Sequence, residues 1–203
     1  MKKIKTALMM VLLLPLLAAC YMPVLFDAEV ELGRTGFYSI EFDGYLAKIP
    51  LTKDITEGTF SPEEEKRKIG EILSDLNRDG ATQLAEYMKN GLFHLKWKRK
   101  GDILNDKMVA FMRRNERMVS IKYLKSSGRM VLEGRRLTRE NAAHVVSSGL
   151  GTKGELRVRT DAKIIDHNAA EVKDIAGEDR LKLYVWKITS LEDPAPYLSA
   201  VLR

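Results

Sequence analysis

A chain of 203 residues is long enough for one domain with a proper core, and its single cysteine leaves no second thiol for an internal disulfide. Stability must therefore come from burial rather than from cross-links. With 34 Lys and Arg against 28 Asp and Glu the formal charge is +6, but no His, Cys, Asp or Glu grouping has metal-ligand spacing, and no internal stretch has linker composition.

The first element is an export signal. Lys2, Lys3 and Lys5 precede an apolar run from Ala7 to Leu17, interrupted at Pro15 and closed by Leu17-Ala18-Ala19-Cys20. A membrane-spanning helix needs about 20 apolar residues, so this shorter run reads as a cleaved signal peptide. Its last four residues resemble the lipobox of bacterial lipoproteins. The resemblance implies cleavage after residue 19 and acylation of Cys20 with diacylglycerol and palmitoyl-type chains. The alternative is an ordinary secretory signal that contains a cysteine. Cleavage would remove three lysines and no acids, leaving 31 basic and 28 acidic residues and a formal charge of +3. Export also argues against nucleic acid as a partner. Residues 20–23 are expected to form a lipidated tether, because Pro23 denies a backbone donor, and residues 24–203 a single domain.

From Val24 the pattern has period two. Phe26, Ala28, Val30 and Leu32 alternate with Asp27, Glu29 and Glu31, which predicts a half-buried strand. Gly33 to Gly36 supplies a turn, and Tyr38, Ile40 and Phe42 continue in a second strand. Asp43-Gly44 predicts a further turn or bulge before Tyr45, Ala47 and Ile49. Ser61-Pro62-Glu63-Glu64-Glu65 is a strong helix start, with a cap, a proline at the first helical position and acids facing the dipole. Ile69, Ile72, Leu73, Leu76, Gly80, Leu84, Tyr87 and Met88 then fall on one stripe. This predicts a helix from Pro62 to Lys89, about 40 Å long at 1.5 Å per residue. Asn90-Gly91 would end it, and Gly80 would mark a close contact or a kink.

The segment from Lys96 to Arg139 holds fourteen Lys and Arg against four acids. In Leu92 to Lys100, Phe93, Leu95 and Trp97 alternate with His94, Lys96 and Lys98. The candidate ligand-binding residues are Lys96, Lys98 and Lys100, with Arg135 on a later strand extending the same basic face toward an anionic surface. The alternative is a solvated strand face paired with acids elsewhere. A hairpin around Ser126-Ser127-Gly128, a short helix capped by Thr138, and strands at Glu155 to Thr160, Ala162 to Ile165, Lys182 to Ile188 and Tyr197 to Leu202 complete the reading. Gly149 to Gly154 matches G-x-G-x-x-G but follows a helix and leads into a strand, so it is not a phosphate loop.

His94, His144 and His167 have no companion at metal or nucleophile spacing. No catalytic residue, metal or cofactor is assigned. Ile165-Asp166-His167-Asn168-Ala169, followed by a Gly-containing turn and by Tyr184-Val185-Trp186-Lys187-Ile188 before a Pro-rich tail, resembles the C-terminal pattern of LppM-type lipoproteins of bacterial envelopes. That resemblance implies a lipid-anchored α+β module that binds envelope lipid or glycolipid rather than catalysing a reaction. His167, Asn168 and Trp186 are its motif residues; a turn, a strand-end tie and a core anchor with a bonded indole N–H are their structural reading.

The expected fold is α+β: a mostly antiparallel, curved sheet with one long amphipathic helix packed on it. The expected role is non-catalytic: an envelope lipoprotein binding anionic lipid or glycolipid, or a scaffold or accessory subunit whose basic face meets an envelope protein. An enzyme would require a cleft joining a histidine to a carboxylate or hydroxyl. Tyr21 is not Asp, which points to the outer membrane of a two-membrane cell, facing the periplasm. Cys20→Ala is expected to abolish the acyl mass and to move the protein out of the membrane fraction. An unmodified wild-type N-terminus with unchanged membrane association of the variant would contradict this.

Overall fold

The computed structural model describes residues 21–112 and 118–202. Cys20, the signal and Arg113, Arg114 and Arg117 of the basic segment lie outside the described residues, as does the side chain of His144. The strands are β1 (Tyr21–Leu32), β2 (Phe37–Lys48), β3 (Thr82–Lys89), β4 (Leu92–Asp102), β5 (Met108–Phe111), β6 (Val119–Leu124), β7 (Arg129–Gly134), β8 (Lys153–Thr160), β9 (Lys163–His167), β10 (Glu171–Asp174), β11 (Lys182–Ile188) and β12 (Tyr197–Val201). The helices are α1 (Ile49–Thr56), α2 (Pro62–Asn77), α3 (Ile103–Asp106) and α4 (Arg139–Ser147).

These strands form two sheets rather than one. A seven-stranded sheet has the order β10-β11-β8-β1-β2-β4-β3, and a five-stranded sheet has the order β5-β6-β7-β12-β9. Neighbours are antiparallel except β1 and β8. The two inner faces share one core, because alternation turns the apolar residues of every long strand the same way. Phe111 of β5 stacks on Phe42 of β2 with centroids 4.4 Å apart and meets Trp97 of β4 edge-on at 5.1 Å. Ile121, Leu132 and Leu198 complete the five-stranded side.

The β1–β2 hairpin follows its alternation, closing with Gly33 N–H donated to the Phe37 carbonyl at 2.8 Å. A register shift between Pro23 and Leu25 carries the pairing back to Tyr21, opposite Lys48. Tyr21 and Met22 are only 7% and 4% exposed. Residues 21–23 are thus the first rungs of the sheet and not a tether. The bulge accommodates Pro23 and keeps the burial pattern on both sides of it. Gly44 makes no turn. It lies inside β2 because a Cβ there would come within 2.6 Å of the Leu25 carbonyl and 2.7 Å of Phe26 Cβ.

The helix expected from Pro62 to Lys89 stops at Asn77. Its start is as read: Ser61 Oγ accepts from Glu64 N–H at 3.3 Å, and Glu64 Oε2 accepts from Ser61 N–H at 3.0 Å. Leu76 is buried, and Ile69, Ile72 and Leu73 pack half-buried against the core. Beyond it, Thr82–Lys89 pairs with β4 through Asn90-Gly91, both with positive φ of 51° and 74°. Asn-Gly with two left-handed residues is the favoured two-residue hairpin turn, and pairing with a strong strand overrides helical periodicity. Asp79 fixes the helix-to-strand turn by accepting from Ala81 N–H at 3.0 Å, Trp97 Nε1 at 3.1 Å and Arg99 at 2.8 Å. No atom would lie within 4 Å of a Cβ on Gly80, which is neither a packing contact nor a helix kink. The short helices α1 and α3 and strand β10 carry no clear sequence signal.

Candidate functional site

A cavity of about 160 Å³ lies between the sheets. Phe26, Ala28, Phe42 and Leu156 line it from the seven-stranded sheet, and Phe111, Val119 and Gly134 from the five-stranded sheet. Phe26 is paired with Gly44 on one side and Gly154 on the other, so the inward positions flanking its ring carry no side chain. The ring lies at 6.0 Å from that of Phe42 in a stacked arrangement, and the space above it remains open.

The cavity opens at one end of the sandwich. Tyr21–Pro23, Ile49, Thr152, Leu191 and Pro194–Pro196 form the mouth, together with Arg135 and Arg136, which leave β7 directly after Gly134. Both arginine side chains are exposed, and Arg136 makes no ion pair with a described residue. Asp193 also lines the mouth, but its carboxylate accepts from Thr189 N–H at 2.7 Å, Ser190 N–H at 3.0 Å and Thr189 Oγ1 at 3.1 Å. Those bonds, the Thr189 amide first, hold its pKa below the usual carboxylate value and keep it committed to its own turn.

The structure separates the four basic candidates. Lys96, Lys98 and Lys100 project from the outer face of β4, away from the cavity, and only Arg135 reaches its mouth. Lys96 pairs with Asp43 at 2.9 Å, Lys98 pairs with Glu41, and His94 Nε2 meets Asp43 at 2.8 Å. The hydrogen bonds from His94 and Lys96 lower the Asp43 pKa. Across β1, Arg157 reaches Asp27 at 2.5 Å and Glu29 at 3.6 Å, and Arg159 reaches Glu31 at 3.6 Å. On this face the cations Lys96, Lys98, Lys100, Arg157 and Arg159 are interleaved with Asp27, Glu29, Glu31, Glu41, Asp43 and Glu155. The face is a charge ladder, not a cationic surface, and its exposed pairs contribute about 0 to 1 kcal/mol each. Arg136 was missed by reading strand faces. The signal for it was the Arg-Arg pair immediately beyond a strand end.

His167, Asn168 and Trp186 form one cluster that bridges the sheets. Asn168 Oδ1 accepts from Trp186 Nε1 of the seven-stranded sheet at 2.8 Å and from Tyr197 N–H of the five-stranded sheet at 2.7 Å. Its Nδ2 donates to the Ala195 carbonyl at 2.8 Å, which fixes the proline segment lining the cavity mouth. His167 Nδ1 accepts from Ala169 N–H at 3.1 Å, and its ring meets Tyr184 edge-on at 4.9 Å. His167 and His94 have structural partners, and among the described residues no group of three His, Cys, Asp or Glu could hold a metal ion. No helix among those residues is long and apolar enough to cross a membrane.

No protein family matches the sequence, and no curated protein matches it. Among solved structures the chain is similar to the folded domain of the LppM protein of Mycobacterium tuberculosis, determined by NMR. The two share 13% identity over 87% of this chain and 88% of that one, with a TM-score of 0.47. At this TM-score the likeness does not define a shared fold.

Asn168→Ala leaves the Trp186 indole N–H and the Tyr197 amide without their acceptor. The variant is expected to lose about 1 to 3 kcal/mol of stability, read as a lower urea midpoint. An unchanged midpoint would show that the sheets are held by apolar packing alone.

Proposed function

We propose that this is a non-catalytic envelope lipoprotein, anchored through acylated Cys20, that binds anionic lipid or glycolipid with an acyl chain in the inter-sheet cavity. The observation that carries the reading is a mainly apolar space between the sheets that opens at one end, where Arg135 and Arg136 are exposed. Size limits the occupant. A cavity of about 150 Å³ lined by apolar side chains holds one benzene, so this cavity accepts the end of one chain rather than a whole diacyl lipid. About six methylenes at roughly 0.8 kcal/mol each, with about 1 kcal/mol from each arginine beside an anionic headgroup, correspond to micromolar binding. Such an affinity suits reversible loading. The residue after Cys20 is Tyr rather than Asp, so the reading places the protein on the periplasmic side of an outer membrane in a two-membrane cell.

The test fills the cavity without touching the rim. Val119→Phe adds volume at a half-buried wall position and costs about 1 to 3 kcal/mol of stability. Native mass spectrometry after mild membrane extraction should show wild-type protein with one bound lipid and the folded variant without it. Neutralising Arg135 and Arg136 should weaken binding by about 1 kcal/mol per charge, whereas Lys96→Gln with Lys98→Gln should not. Wild-type protein that retains no lipid, or a variant that retains it undiminished, would remove the proposal.

A further inference from the structure

The geometry points to one end of the sandwich as a bilayer-docking surface, held against an anionic phospholipid membrane so that the cavity opens directly into the lipid. This rests on the lipid-anchor reading of Cys20 and adds the orientation of the domain. Every strand end around the mouth converges on that end: β1 starts there at Tyr21, β8 starts beside Thr152, β2 ends before Ile49, β7 ends before Arg135, and β12 starts after Pro196.

The described chain begins at this end, with Tyr21 already the first residue of β1. Tyr21 is buried and paired with Lys48 in the sheet, so a group on residue 20 lies one peptide unit, about 3.8 Å between Cα atoms, from the folded domain. A lipid attached there brings the mouth to headgroup depth, whereas a flexible tether would leave the domain free to turn away. The surface chemistry agrees. Leu25 is 52% exposed and lies in register with Lys153, which is also exposed, near the start of β8. Arg135 and Arg136 stand exposed at the rim, and the Asp193 carboxylate beside them is bonded within its own turn. An apolar side chain among cations suits the headgroup zone of an anionic membrane. A chain can then pass from bilayer to cavity without crossing water.

The chain has no cysteine besides Cys20, so a single introduced cysteine is the only free thiol once Cys20 is acylated. We would place a nitroxide on Glu192→Cys, an exposed position beside the mouth, and separately on Ser126→Cys, in the exposed turn between β6 and β7. The full lipidated protein is reconstituted into phosphatidylcholine–phosphatidylglycerol vesicles, with near-UV circular dichroism confirming the fold. Relaxation by membrane-dissolved oxygen relative to aqueous nickel should be several-fold greater at 192 than at 126. Equal ratios at both positions, or a greater ratio at 126, would overturn the docking surface, as would failure of the protein to float with the vesicles. The lipid-binding reading fails separately: an empty cavity in a protein that still shows the contrast removes the ligand and leaves the orientation supported.

Discussion

The structure depends on Phe26 having glycine on both sides. Sheets packed face to face are about 10 Å apart, a gap that large side chains normally fill. They do so around Trp97, Phe42 and Phe111, where rings from both sheets interlock. At Phe26 the neighbouring rungs are Gly44 and Gly154, and a Cβ on Gly44 would come within 2.7 Å of Phe26 itself. The Phe26 ring itself covers Gly154, where a Cβ would meet its Cδ1 at 2.5 Å and its Cε1 at 2.6 Å, and from there it forms part of the cavity wall. The cavity is walled by strands of both sheets and, toward its mouth, by the segment that follows β11.

The Asn168 cluster ties the two sheets to the segment that lines the cavity mouth. One amide side chain bonds an indole in one sheet, an amide in the other and a carbonyl in the proline segment at the mouth. The outer charge ladder plays a different part. Its pairs are exposed and individually weak, and they set β1 and β2 acids between the cations of β4 and β8, so that Lys96 and Lys98 do not project an unopposed positive field.

Much of this was legible in the sequence. The alternation of Phe26 to Leu32 and of Phe93 to Trp97 reads directly as strands, and Ser61-Pro62 reads directly as a helix start, because each follows from local periodicity or local hydrogen bonding. The stripe from Gly80 to Met88 misleads, since Leu84 and Tyr87 stand at helical spacing, whereas the strand packs Ala85 and Tyr87, two residues apart, against the core. The Asn90-Gly91 turn decides between them only once β4 is recognised as the partner. The basic face misleads for a related reason. Lys96 and Lys98 do point outward as their alternation requires, but the acids that neutralise them lie more than fifty residues earlier, on β2. Gly44 and Gly154 have no local meaning at all. Their role appears only when β8 is laid parallel to β1.

The central claim is that the space above Phe26 holds a lipid chain, and the most direct measurement is crystallographic. Crystals grown with a fatty acid carrying a terminal bromine should show an anomalous peak between Phe26, Phe111 and Leu156. Bromine found only on the outer surface, with the space above Phe26 empty, would contradict the account.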